Sequence, residues 1–240
     1  MFAIETKNLT KKFKERIAVN EIDLKINQGE LFALLGTNGA GKTTTIKMLS
    51  TLILPTDGEI KINGLDIIKD RQKIKEILNV SPQETAIAPN LSVKENLEFM
   101  AGVYQISNKQ EKINELIKMF KLDEVLNQKA KTLSGGWQRK VSIAIALIND
   151  PKILFLDEPT LGLDVIARKE LWTIIENLKG KITIILTTHY MEEAESLSDR
   201  IGIMAKGKLI DIGTSKELIE KTGAKNFEDA FVKIATGGEL

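Results

Sequence analysis

The 240 residues predict an α/β fold with a mostly parallel core sheet, an antiparallel β subdomain toward the amino terminus and an inserted α-helical subdomain. Three observations carry that prediction. Apolar segments at residues 31–35, 153–156 and 182–186 are long enough and continuous enough to be strands buried on both faces, as parallel strands are. Ile22, Leu24 and Ile26, then Ile60 and Ile62, alternate with polar residues up to Gln28-Gly29 and Asn63-Gly64, the pattern of half-buried strands ending in turns. Residues 69–131 read as charged and helical, with no strand of the parallel type, so helices interrupt the sheet there.

Taken in order, the first candidate is Phe13, in the basic stretch Lys11-Lys12-Phe13-Lys14, read as a loop. Two readings stand for it: an aromatic face for a purine to stack on, or a partly buried loop anchor. The strand at residues 31–35 runs into Gly36-Thr37-Asn38-Gly39-Ala40-Gly41-Lys42-Thr43-Thr44 and then a helix holding Ile46, Met48 and Leu49. This is the spacing GxxxxGK[ST] between strand and helix, a P-loop. Gly36, Gly39 and Gly41 let backbone N–H groups turn inward, and the helix N-terminus adds partial positive charge. Lys42 is placed to reach the β- and γ-phosphates, the Thr43 hydroxyl to ligate Mg²⁺ and Thr44 to donate to the α-phosphate of a nucleoside triphosphate.

Ser81-Pro82-Gln83-Glu84 reads as a polar hinge, from which Gln83 reaches metal and attacking water or is an ordinary loop amide. Beyond it, Ile113, Leu116, Ile117 and Phe120 recur at helical spacing. Leu133-Ser134-Gly135-Gly136 opens another helix, with N–H groups and glycines suited to an anion; the plain alternative is a Ser134 N-cap followed by a turn, and Trp137 reads as packing. One nucleotide site has no need of two such cradles.

Ile153-Leu154-Phe155-Leu156 ends in Asp157-Glu158, two carboxylates at the carboxyl end of a buried strand, where ligands bind in open α/β sheets. Asp157 suits Mg²⁺ and Glu158 suits orienting water. Asp164 precedes a helix with Leu171, Ile174, Ile175 and Leu178 on one face and reads as its N-cap. His189, the single histidine, follows the strand at residues 182–186; that place favours γ-phosphate contact, and its isolation excludes a zinc site. Residues 201–204 and 208–212 form a closing hairpin, and the tail carries a short helix around residues 227–234.

Composition narrows the class. Hydrophobic residues make up 42%, enough for a substantial core, and 34 basic against 33 acidic residues give a net charge of +1 without a basic block, which disfavours a nucleic-acid partner. There is no cysteine, so disulfides, Fe–S clusters and cysteine-bound zinc are excluded. The opening Met1-Phe2-Ala3-Ile4-Glu5 shows no secretion signal. The longest apolar segment, residues 141–148, is far short of the roughly 20 residues that span a bilayer.

In their order, Gly36 to Thr44, Gln83, Leu133-Ser134-Gly135-Gly136, Asp157-Glu158, Leu161-Gly162-Leu163-Asp164 and His189 resemble the nucleotide-binding subunit of ATP-binding cassette (ABC) transporters, along essentially the whole chain. The acidic strand and glycine loop are shared by all P-loop NTPases; the LSGG segment is specific to this family. The resemblance implies a single ABC ATPase domain over residues 1–240, with a helical subdomain at about 84–140 and a tail at about 222–240. It implies ATP and Mg²⁺ as cofactors and a homodimer, or a pair with a related ABC subunit, that sandwiches two ATP molecules. Ser134 and Gly136 of one chain, with Gly135 between them, would meet the γ-phosphate held by Lys42 of the other. Phe13 would be the adenine-stacking aromatic, Gln83 the metal and γ-phosphate sensor, Glu158 the catalytic carboxylate, Asp164 a dimer contact and His189 the switch residue. An integral membrane permease subunit would anchor the protein peripherally at the cytoplasmic face of the membrane. Asn38 to Thr45, Pro82-Gln83-Glu84-Thr85-Ala86 and Phe227-Glu228-Asp229-Ala230-Phe231 look like the branch serving drug, antibiotic, lipid and sodium exporters. Where the family commonly has Gln-Arg one residue further on, this chain has Arg139 and Lys140; Val165 and Phe13 stand where proline and tyrosine are frequent. A soluble cassette acting as a nucleotide-gated scaffold is the alternative, and a small-molecule P-loop kinase would leave LSGG without purpose.

Overall fold

The computed structural model describes residues 1–238, so the last two residues of the expected tail lie outside the described residues. Strands β1 (Phe2–Phe13), β2 (Arg16–Asn27), β4 (Asp57–Ile62) and β5 (Leu65–Asp66) form an antiparallel sheet in the order β2-β1-β4-β5. Strands β3 (Leu31–Gly36), β6 (Leu78–Ser81), β7 (Ile153–Asp157), β8 (Thr183–Thr188), β9 (Arg200–Ala205) and β10 (Lys208–Gly213) form the core sheet, ordered β10-β9-β3-β8-β7-β6. Only β10 runs against its neighbour. Around these lie α1 (Lys42–Leu49), α2 (Arg71–Ile77), α3 (Val93–Val103), α4 (Lys109–Phe120), α5 (Gly135–Ala146), α6 (Val165–Leu178), α7 (Met191–Leu197), α8 (Ser215–Thr222) and α9 (Phe227–Thr236).

The apolar runs are buried because both faces of the core sheet are covered. Leu31, Ala33 and Leu35 of β3 join Leu154, Leu156, Ile184 and Leu186 in one core with α3 to α7, while Phe32 and Leu34 face a second core with Phe155, Ile185, α1 and the antiparallel sheet. Such strands have no polar face to present to water. Parallel register then decides where the strands end: Leu35 pairs with Thr188 and Asp157 with Thr187, so the carboxyl ends of β3, β8 and β7 lie level and side by side.

The structure corrects two expectations. A parallel strand does occur within residues 69–131: β6 pairs with β7 from Leu78–Ile153 to Ser81–Leu156. Leu-Asn-Val-Ser is short and half polar, which an edge strand tolerates; Asn79 Nδ2 donates to Tyr104 OH at 3.2 Å and Asn149 Oδ1 at 3.0 Å beyond the sheet. Ser81 is accordingly a buried strand end, 3.0 Å from the Ser142 hydroxyl, and the hinge begins after it. Phe13, in turn, is not in a loop. It closes β1 opposite Arg16, across a two-residue turn, and the lysines before it are strand residues on a solvent-facing sheet.

Helix α3 begins with a reciprocal cap, Glu95 N donating to Ser92 Oγ and Ser92 N to Glu95 Oε2, and buried Asn96 donates to the Ala88 and Ser92 carbonyls. Among the described residues no helix is long and apolar enough to cross a membrane.

Candidate functional site

A cavity of about 610 Å³ opens at the carboxyl ends of the core strands, lined by Phe13, Arg16, Ala18, residues 38–44, Gln83, Glu158, Leu161 and His189. Its floor is the glycine loop, and steric fit explains the residue types. A Cβ on Gly36 would lie 2.4 Å from the Met204 carbonyl oxygen, and one on Gly41, at φ 105°, 2.6 Å from that of Ala18. Only glycine supplies that path without strain. Ala40 N donates to Thr37 O at 3.1 Å, closing the turn, and Gly207 N donates to Ala40 O at 3.0 Å, pinning it to the β9–β10 hairpin. Asn38, Gly39, Ala40, Gly41, Lys42, Thr43 and Thr44 all face the cavity; Gly36 and Thr37 do not line it and contribute carbonyls to Lys42.

Buried Lys42 donates from Nζ to Gly36 O at 2.7 Å and Thr37 O at 3.3 Å, and sits 3.2 Å from Glu158 Oε1. The other oxygen of Glu158 is 2.7 Å from His189 Nδ1. Asp157 faces the neighbouring residue of α1: its Oδ1 accepts from Thr43 Oγ1 at 3.0 Å and from Thr187 Oγ1 at 2.6 Å. Adjacent strand residues ordinarily point to opposite faces. Here Glu158 has φ 49°, in the left-handed region, and this breaks the alternation so that both carboxylates meet α1. Glu158 N, bonded to Thr187 O at 3.1 Å and Thr187 Oγ1 at 3.0 Å, holds the turn.

Gln83 lines the cavity from an exposed position, and the residue that places it escaped the sequence reading of roles. Arg139 of α5 donates from Nη1 to Pro82 O and from Nη2 to Gln83 O, both at 2.6 Å. Burial pulls the Arg139 guanidinium below its usual value, against the opposing pull of Asp157 and Glu193. The one signal available in the sequence was its offset from the family's common Gln-Arg position. Arg16 was missed likewise: it faces Phe13 across the turn and reaches the cavity with its side chain, Nη2 standing 3.8 Å from the Cβ position of Gly39. Phe13 is 48% exposed, enough to offer a ring face.

Ser134, Gly135 and Gly136 are not brought to this cavity. They start α5 on the surface, and Ser134, although in the N-cap position, makes no side-chain cap bond. A Cβ on Gly135 would meet nothing within 4 Å, so its lack of a side chain serves no contact inside the chain. Asp164, by contrast, is the N-cap of α6, Oδ1 accepting from Ile166 N at 2.9 Å and Ala167 N at 3.0 Å. Trp137 is half-buried, with Lys140 Nζ 4.4 Å from its ring centre.

Comparison with known proteins places this geometry. A family model described as ABC transporter matches residues 19–161. The human phospholipid-transporting ATPase ABCA3 is 43% identical over 227 residues, covering 92% of this chain; the chain spans only 13% of that relative's length. The linearmycin resistance ATP-binding protein LnrL of Bacillus subtilis (strain 168) is 36% identical over 238 residues, 98% of this chain and 75% of LnrL. Among solved structures, the dimeric post-hydrolysis state of the ATP-binding cassette MJ0796 bound to ADP and Pi superposes with a TM-score of 0.79 at 28% identity, over 88% of this chain and 98% of that one. A match over most of the sequence, on a chain whose strand ends assemble a nucleotide cavity, establishes that the protein belongs to the ABC transporter family as an ATP-binding, ATP-hydrolysing domain.

Proposed function

We propose that the chain is the ATPase subunit of an exporter, working as a head-to-tail pair beneath a separate integral membrane permease. The observation that carries this reading is the unused anion cradle at the start of α5, where Ser134 makes no side-chain cap bond and a side chain on Gly135 would meet nothing. Charged ligands belong at such an N-terminus. A second copy, or a related ABC subunit, turned about a twofold axis supplies one: the γ-phosphate gripped by its own glycine loop.

Within one protomer, Phe13 stacks on adenine, and the N–H groups of residues 38–44 cradle the phosphates. Lys42 exchanges the Gly36 and Thr37 carbonyls for phosphoryl oxygens. Glu158, released from its pair with Lys42, takes up and polarises the attacking water, while His189 keeps the carboxylate aimed and contacts the γ-phosphate. Gln83 reports on γ-phosphate and metal to the helical segment at about residues 84–140, which passes the movement to the permease. The residues present fit Mg²⁺: Thr43 and Gln83 line the cavity, and Asp157 Oδ1 stands 3.0 Å from the Thr43 hydroxyl. Two protein oxygens plus phosphate oxygens suit this ion better than an all-protein cage. When bound, it neutralises charge on the β- and γ-phosphoryl oxygens.

Export and a place at the cytoplasmic face rest on resemblance: the sequence looks like the exporter branch, and the relatives named above carry phospholipid transport and linearmycin resistance in their names. The tail from about residue 222 packs α9 on the core through Phe227 and Phe231. Glu158→Gln tests the core of the reading. Loss of the water-polarising group lowers kcat by about 10²–10⁴-fold while ATP is retained, and dimers accumulate on size-exclusion chromatography. Undiminished turnover overturns the assignment.

A further inference from the structure

Glu193, on the first turn of α7, is completely buried and does not line the nucleotide cavity. Its Oε1 accepts from Thr160 Oγ1 at 2.7 Å and from Trp172 Nε1 at 3.1 Å. Its Oε2 is the single buried side-chain polar atom among the described residues with no hydrogen-bond partner. The Thr188 hydroxyl, which accepts from Tyr190 N at 2.9 Å, faces the same carboxyl group. These neighbours come from three places. Thr160 is two residues beyond Glu158, Thr188 immediately precedes His189, and Trp172 belongs to α6, the helix capped by Asp164.

We propose that Glu193 is a positioning residue for hydrolysis, tying the loop after Glu158 to α7, the helix that follows His189, so that these two side chains keep their contact. The inference rests on the roles assigned above to Glu158 and His189. A buried group bridging a loop and two helices rigidifies them through the hydrogen bonds it makes, and Oε1 accepts two of them. Oε2 has no hydrogen-bond partner, which a buried neutral acid tolerates far better than a buried carboxylate. Its surroundings favour the neutral form. Burial, with the Glu158 charge adding to it, holds the carboxyl well above the usual glutamate range, against the hydroxyls of Thr188 and Thr160 and the Trp172 indole. Arg139 is the cation that senses Glu193, but its two nitrogens are bonded to the Pro82 and Gln83 carbonyls. Glutamine keeps the shape, an acceptor and a donor; alanine keeps none of them.

The test measures kcat, ATP Kd and melting temperature for Glu193→Gln and Glu193→Ala in the full chain. A Trp137→Phe background leaves Trp172 as the reporter of the indole hydrogen bond. Glutamine is expected to keep kcat within about twofold and to preserve the Trp172 emission. Alanine is expected to lower kcat roughly tenfold or more with Kd within about threefold, and to shift that emission. Should Glu193→Ala not fold, Thr160→Val breaks the same link from the other side and must show the same split between kcat and Kd. Equal kcat for parent and alanine overturns the proposal, as does a glutamine variant as impaired as alanine. Glu158→Gln and His189→Ala, assayed alongside, separate the two readings: if both slow hydrolysis and Glu193→Ala does not, this inference alone fails, and if neither does, it fails together with the site.

Discussion

Glu158 occupies backbone that non-glycine residues avoid, with φ 49°, and such a residue costs on the order of 1–3 kcal/mol that the surrounding structure has to offset. The bifurcated hydrogen bond from its N–H to Thr187 and the buried contacts of its carboxylate with Lys42 and His189 supply that offset. Removing one partner from such a pair leaves the other buried and alone, which is costly. Glu193 carries a different kind of strain. Its carboxyl sits above the ordinary value of 4.5 because burial disfavours the ionised form. The unfolded chain therefore gives up that proton at lower pH than the native one. The group's contribution to stability is full below its unfolded value and is lost as pH rises through the folded one. Glutamine has no such proton, so the melting temperature of Glu193→Gln is expected to gain on the parent between pH 5 and pH 8. A gap that stays constant across this range, measured by scanning calorimetry, refutes the buried-acid description.

Helix α5 shows how one element serves two purposes. Its first turn presents Ser134 and Gly135 outward while Gly136 packs close to Ala167 of α6, and one turn later Arg139 reaches inward to hold the backbone of Pro82 and Gln83. Whatever grips the outer end is thereby mechanically linked to the loop carrying Gln83, which lines the nucleotide cavity. Charge-assisted hydrogen bonds of this kind contribute roughly 1.5–3 kcal/mol each, and the two diverging nitrogens of a guanidinium have no equivalent in lysine. Arg139→Lys is therefore expected to loosen the loop. Hydrogen exchange at residues 83–86 rises and kcat falls several-fold, while ATP Kd stays near that of the parent. Unchanged exchange in that loop contradicts the link. This element was only half legible in the sequence. The helix start at Leu133-Ser134-Gly135-Gly136 is local chemistry, readable as a pattern, whereas the partner of Arg139 lies 57 residues away at Pro82. For the same reason β6 went unread: Leu-Asn-Val-Ser is a strand because β7 offers it an edge, not because its composition demands one.

At the scale of the whole molecule, the level carboxyl ends of β3, β7 and β8 gather the cavity, and the start of α5 lies outside it. On the head-to-tail reading proposed above, the reaction centre is complete only when two cassettes meet. On that reading, Ser134→Arg places a bulky cation where the neighbour's nucleotide approaches, outside the chain's own cavity. Monomer affinity for ATP is expected to remain within about twofold, while the ATP-induced dimer seen by light scattering in a Glu158→Gln background disappears. A fully active monomeric Ser134→Arg protein rules out the two-chain site.

What the sequence by itself determined was the α/β class, the glycine loop with Lys42 and Thr43, the acidic strand end at Asp157-Glu158 and the lone His189, since each is a local pattern of spacing and polarity. Only the tertiary structure decided that Thr43 meets Asp157 across 114 residues, that Glu158 turns left-handed to reach Lys42, and that Arg139 and Glu193 hold the loops around them. Those facts depend on parallel register and on which buried groups find partners. Both are settled by packing across the sheet, where neighbours in space are strangers in sequence.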